Sequence, residues 1–161
     1  MDRIGTWIAS LCLVFVASCA SERPEPKWRD GEVAAASENV LWEVTVLALD
    51  KEGYPVGAGL DPAKGLAMSG WKSSLAPFKG KGWRARAHVK YERTAPGRYK
   101  LEVRVEKETN EDLVRPLDPT YADWQPAPDD PERAGVLLQR IRSYLGGEID
   151  VAAPPKARTS R

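Results

Sequence analysis

The chain reads as an α+β protein: a small antiparallel sheet of about four strands, covered on one face by two helices, in the order α-β-β-β-β-α. Three observations predict this. Residues 83 to 92 and 98 to 106 alternate apolar and charged side chains without a break, the period-two pattern of half-buried strands. Residues 37 to 53 and 130 to 147 carry apolar positions at helical spacing between a capping residue and a glycine, which is how amphipathic helices begin and end. A sheet with one apolar face needs a covering layer, and two such helices supply it.

In the first helix Val40, Leu41, Val44, Leu47 and Ala48 fall at i, i+1, i+4, i+7 and i+8, with Ser37 as N-cap and Gly53 as stop. The same text alternates as Val40, Trp42, Val44 and Val46, so a strand competes; length and caps favour the helix. Residues 54 to 60 and 66 to 71 flank Asp61-Pro62-Ala63-Lys64-Gly65, a turn-rich pentapeptide that predicts a hairpin.

The next pair of strands is the most explicit in the chain. Trp83, Ala85, Ala87, Val89 and Tyr91 lie on one face, with Arg84, Arg86, His88, Lys90 and Glu92 on the other. Tyr99, Leu101, Val103 and Val105 then lie opposite Arg98, Lys100, Glu102, Arg104 and Glu106. The two runs join at Ala95-Pro96-Gly97, where Pro96 is awkward in the middle of a three-residue loop, and a five-residue loop in the same register is the alternative. Both apolar sets are odd-numbered, so paired residues must sum to an even number. Tyr91 opposite Leu101 also sets Lys90 against Glu102, Arg86 against Glu106 and Arg84 against Glu108, whereas a slip of two residues sets Lys90 against Lys100. Charge selects the first register.

Residues 111 to 130 form an acidic, proline-punctuated connection, long for a passive loop. Asp130 then caps, Pro131 takes the first helical position, and Ala134, Leu137, Leu138, Ile141, Tyr144 and Leu145 follow at helical spacing to Gly146-Gly147. The remaining tail, 147 to 161, has no pattern and is expected to be disordered.

The N-terminus sets the compartment. Residues 4 to 18 are apolar or small, about 15 in a row, the length of a secretory h-region and short of the roughly 20 that span a bilayer. The run ends in Val16-Ala17-Ser18-Cys19, which resembles a bacterial lipobox. That resemblance implies cleavage after residue 18, a signal peptide at 1 to 18, and a diacylglyceryl group plus an amide-linked acyl chain such as palmitate on Cys19. Two or more chains anchor a protein stably. Ala20 rather than aspartate follows the cysteine, which implies outer-membrane attachment facing the periplasm. The other cysteine, Cys12, lies in the segment to be removed, so the mature chain has no disulfide and depends on its core. Residues 19 to 36 are polar and proline-containing and read as a lipidated flexible tether, in which Trp28 alone is suited to docking. Residues 37 to 146 then form one α+β domain.

The helix, Gly53-Tyr54, Asp61, and GLAMSGW before an arginine-bearing strand are similar to the helix-grip domains of periplasmic lipoproteins, such as the C subunit of the outer-membrane barrel-assembly machinery. The resemblance covers about residues 38 to 105, and it implies an accessory or scaffolding role with no catalytic residues to transfer.

The functional expectation is therefore a non-catalytic, membrane-anchored lipoprotein that binds or scaffolds a protein or envelope component. The alternative is a small envelope hydrolase using Ser69 and Lys72, which match S-x-x-K, or the acidic cluster of Glu106, Glu108, Glu111, Asp112, Asp118 and Asp123. The S-x-x-K match lacks the S-D-N and K-T-G elements it needs, and the acids read better as a solvated face than as a glycosidase pair or calcium site. His88 is the sole histidine and has no companions for a metal site or a triad. No cofactor is implied, since Pro62 stands where a Gly57-Ala58-Gly59 phosphate loop needs its third glycine. The arginines of 82 to 92 resemble a nucleic-acid-binding strand, but compartment and the facing glutamates exclude nucleic acid as partner. The net charge is +1, yet the chain is polarised: residues 71 to 100 hold nine Lys or Arg against Glu92, and residues 101 to 132 hold ten Asp or Glu against three basic residues. Lys72, Leu75, Phe78, Lys79 and Lys81 in the loop 71 to 82, and Tyr121 and Trp124 in the connection, are the candidate contacts for an envelope protein or anionic headgroups. The face assignment predicts that Arg86→Glu is tolerated with modest repulsion from Glu106, whereas Val89→Asp or Val103→Asp unfolds the domain.

Overall fold

The computed structural model describes residues 23–57, 59–75 and 81–146. The segment 1–18 expected to be a signal peptide, Cys19, Phe78, Lys79 and the tail from residue 147 lie outside these residues. The elements are β1 (Arg29–Ala34), α1 (Glu38–Lys51), β2 (Leu60–Asp61), a single 3-10 turn (Pro62–Lys64), β3 (Leu66–Met68), β4 (Lys72–Ser74), β5 (Trp83–Ala95), β6 (Arg98–Asn110), β7 (Trp124–Ala127) and α2 (Pro131–Tyr144). The class is α+β with an antiparallel sheet and two helices, but the sheet has seven strands rather than four.

The β5–β6 hairpin is the axis of the sheet. Its register runs Tyr91↔Leu101, Lys90↔Glu102, Arg86↔Glu106 and Arg84↔Glu108, as the charges require. The turn is neither of the expected loops. Pro96 and Gly97 alone connect the strands, with Gly97 in the left-handed region at φ 71, and a register shift between Arg93 and Ala95 absorbs the odd residue. Each long strand then takes two short partners along its outer edge. Near the turn, β1 pairs with β6 and β3 pairs with β5, with β2 outside β3. At the open end, β4 pairs with β5 and β7 pairs with β6.

Three of these strands correct the sequence expectation. The tether assigned to 19–36 contains β1, whose Val33 is buried and whose Gly31 lies under the guanidinium of Arg142 on α2. The loop assigned to 71–82 contains β4, and the long connection contains β7, with Pro126 opposite Glu108 on an edge. All three are short and lack clean alternation, because they pair with a strand that already supplies the apolar face. The hairpin predicted for 54–60 and 66–71 has its turn where expected, with Asp61 Oδ1 accepting from the Lys64 amide at 3.3 Å. Its arms shrink to β2 and β3.

Both helices form over the predicted ranges and the competing strand over 40–46 does not, but in α1 Val40 and Leu47 of the predicted apolar stripe are exposed while Thr45 and Leu49 are buried. Ser37 Oγ accepts from Val40 N at 3.2 Å, and Asp130 Oδ1 accepts from Arg133 N at 3.0 Å with Pro131 at the first position. Leu41, Ala48 and Leu49 of α1 and Ala134, Leu137, Leu138 and Ile141 of α2 share one buried cluster with Ala85, Ala87, Val89, Tyr99, Leu101, Val103 and Val105. The odd-numbered face is thus the core face.

Val103 has no exposure, so Val103→Asp places an unpaired carboxylate in that cluster and should abolish the cooperative urea transition. The opposite face is less forgiving than the alternation suggests. Glu106 is 5% exposed and Arg86 Nε donates to it at 2.6 Å. Arg86→Glu therefore buries a second carboxylate against the first and should cost about 3 kcal/mol or more in urea unfolding, whereas exposed Glu92→Gln should leave the midpoint nearly unchanged.

Candidate functional site

The even-numbered sheet face is a mesh of ion pairs. Arg84 Nε donates to Glu108 at 2.6 Å, Lys90 meets Glu102 at 2.5 Å, and Lys100 meets the same carboxylate at 3.0 Å. Arg104 grips Asp129 with two bonds, at 2.7 and 3.1 Å. Glu106 accepts from Arg86, faces His88 Nε2 at 3.0 Å, and takes a third contact from Arg23 at 3.3 Å. Trp71 lies under both Arg84 and Arg86, at 4.5 and 4.6 Å from the guanidinium carbons, and Trp124 lies 4.9 Å from Arg84. The N-terminal segment closes onto this face. Lys27 N donates to Asp129 at 2.7 Å, and the Trp28 ring sits under the Lys90 ammonium at 4.5 Å. Trp28 does dock, and its neighbours dock with it.

The groups proposed for hydrolysis are occupied. Ser69 is buried; its Oγ accepts from Ala87 N at 2.9 Å and donates to Gly70 O at 2.8 Å. The Lys72 ammonium donates to the Glu52 carbonyl at 2.5 Å, at the end of α1, and lies over the Tyr54 ring. Among the described residues, no group of three or more His, Cys, Asp or Glu is placed to hold a metal ion.

Of the candidate contact residues, Lys72 is thus turned toward the helix layer, while the others described gather at the open end of the hairpin. Leu75 is half-buried against Gly82, and Gly82 O accepts from the Asn110 amide at 2.8 Å. Lys81 pairs with Glu111. Trp124 starts β7 opposite Asn110, and the exposed Tyr121 ring stacks with the Arg115 guanidinium at 3.3 Å.

Asn110 organises this end. It is 3% exposed. Its Oδ1 accepts from the amides of Asp112 and Asp123, both at 3.0 Å, and its Nδ2 donates to the Pro116 carbonyl at 3.2 Å. The Glu111 amide donates to Asp123 O at 2.8 Å, closing the neck of the loop. What this built loop displays is aliphatic: Leu113 is 81% exposed, Val114 86% and Leu117 52%. Sequence reasoning passed over these three in favour of the aromatics, and the only available signal was a run of aliphatics in a connection without periodicity.

No family model and no curated protein matches the chain. Among solved structures, a TBP-like protein from Parabacteroides distasonis ATCC 8503 aligns over 65% of this chain and 69% of its own, at 13% identity and a TM-score of 0.38. That likeness is too slight to bear on function.

Two measurements follow from this geometry. Asn110→Ala leaves the Asp112 and Asp123 amides at the neck of the loop without their acceptor and should cost about 1–3 kcal/mol, with faster hydrogen exchange at both. Acid should act in two stages. Burial, with Arg86 and Arg104 adding to it against Glu106, holds His88 below its usual 6.5; the unfolded chain then takes up the proton first, so stability falls as pH drops below about 6.5. Burial pushes Glu106 up, but the bonds from Arg86 and His88 outweigh it and hold the carboxyl below 4.5. That contribution is present above about pH 4.5 and is lost as pH falls through the folded value. The urea midpoint should therefore decline in two steps between pH 8 and 3, and His88→Gln should remove the upper one.

Proposed function

We propose that this chain is an exported lipoprotein, acylated on Cys19 and held at the outer membrane facing the periplasm, that binds or scaffolds an envelope component without catalysing a reaction. One observation carries the binding reading. The charged groups in the middle of the sheet face are committed to one another, Ser69 and Lys72 are committed to backbone, and among the described residues the two most exposed large apolar side chains, Leu113 and Val114, stand with Leu117 on the loop tip. Buried paired charges stabilise and orient; a nucleophile or general acid needs an available atom. Large aliphatics held outward by a hydrogen-bonded loop are instead what a contact surface requires. Among the described residues no helix is long and apolar enough to cross a membrane, so attachment in this reading rests on Cys19.

The anchor and the contact surface are tested separately. Cys19→Ser should move the protein from the membrane fraction to the soluble fraction; unchanged sedimentation and mobility would remove the lipobox reading. A photo-crosslinking residue in place of Val114 should give specific adducts in intact envelopes, while the same residue in place of the exposed Gln139 on α2 should not. Equal yields at both positions would leave the loop without a binding role.

A further inference from the structure

The strap formed by residues 23–28 limits where the loop can be. Arg23 contacts Glu106, Lys27 N donates to Asp129 and Trp28 packs on Lys90, so the segment expected to hang free is bound to the sheet from residue 23 onward. Cys19 is four residues before Arg23, a covalent reach of at most about 14 Å. Glu106 is in turn four residues before Asn110 on β6, about 13 Å along the strand. The covalent span from Cys19 to the bound strap is therefore short, and β6 leads from the strap's contact at Glu106 to the loop.

The loop is also chemically sorted. Its four carboxylates are engaged at its flanks and within its own turns. Glu111 pairs with Lys81; Asp112 accepts from the amides of Val114 and Arg115 at 2.8 and 2.9 Å; Asp118 accepts from Thr120 N at 2.9 Å; Asp123 accepts from Gln125 at 2.6 Å. Outward remain Leu113, Val114 and Leu117, with Tyr121 and the Arg115 stacked on it. Aliphatics at a tip backed by a tyrosine and an arginine match the layering of a bilayer boundary, where Tyr sits at headgroup depth and Arg extends to phosphate.

We infer that the loop 113–121 is a second membrane contact, with Leu113, Val114 and Leu117 entering the headgroup and acyl boundary of the bilayer that holds the Cys19 lipid. The inference rests on the lipid-anchor reading, because three aliphatics bind a membrane usefully only when an anchor supplies a high local concentration. It also predicts a lipid preference. Residues 111–123 carry four acids against Arg115, so zwitterionic surfaces should be entered more readily than anionic ones.

The test uses the full lipoprotein purified from its membrane and reconstituted in phosphatidylcholine–phosphatidylethanolamine vesicles. Val114→Cys, labelled with an environment-sensitive fluorophore, should show blue-shifted emission and quenching by nitroxide lipids. The same label at Gln139→Cys should stay aqueous. Leu113→Asp with Leu117→Asp should abolish the shift at residue 114 while the protein remains on the vesicles, and added phosphatidylglycerol should weaken it. An aqueous label at 114 on protein whose N-terminal peptide has acyl mass overturns the inference alone. A label that is aqueous in vesicles but shielded in native envelopes also overturns it, and assigns the loop to a protein socket. A Cys19 peptide without acyl mass, on protein that fails to bind vesicles, overturns the anchor and the inference together.

Discussion

The pairing of β5 with β6, Tyr91 opposite Leu101, is the constraint on which the remaining elements depend. It aligns the odd-numbered apolar residues of both strands into one core face and sets each arginine or lysine of β5 from Arg84 to Lys90 against a glutamate of β6. Cross-strand pairs contribute about 0.2–1 kcal/mol each, but their sum acts on one choice. A slip of two residues keeps the apolar face and opposes like charges, and a slip of one exposes the core. Both helices pack on the face this register creates, and the four short strands that pair directly with the hairpin, β1, β3, β4 and β7, read their own registers from its edges.

The polar face shows what such a constraint does to chemistry. Glu106 and Asp129 are nearly removed from water, and each is held by a guanidinium at 2.6 to 2.7 Å. Removing one member leaves the other buried and unpaired, which is why the arginines cannot be treated as an interchangeable solvated surface. The N-terminal segment uses the same groups, Arg23 through Glu106 and Lys27 through Asp129. A stretch with little apolar content is thus ordered by charges and one tryptophan.

Long elements with a strict period were legible in the sequence: both helices with their caps, and the hairpin with its register. The short ones were not. RDGEVA, KSS and WQPA have at most one inward apolar residue each, so β1, β4 and β7 exist because a neighbouring edge offers unpaired amides and carbonyls, which no local pattern encodes. The site was half legible. Charge polarity and loop aromatics pointed to the end of the sheet that carries the exposed loop, and Lys81 and Tyr121 lie there. Trp124 turned out to be a stacking partner of Arg84, Lys72 a cap for α1, and the exposed aliphatics were overlooked. Asn110 was invisible for a simple reason: its role requires Asp112, Pro116 and Asp123 to return to one point, which sequence spacing does not reveal.

The sheet orders its own N-terminal strap and displays an aliphatic loop, and the proposal is that this loop faces the bilayer that would hold an acyl group on Cys19. Hydrogen exchange of the full-length protein, compared between the membrane on which the proposed Cys19 anchor would hold it and a detergent-released form, tests that proposal most directly. Slower exchange is expected in the membrane, confined to 112–121, with α1, α2 and the β5–β6 ladder unchanged. Equal exchange of the loop in both states, or protection that appears instead on the outer faces of the helices, would contradict it.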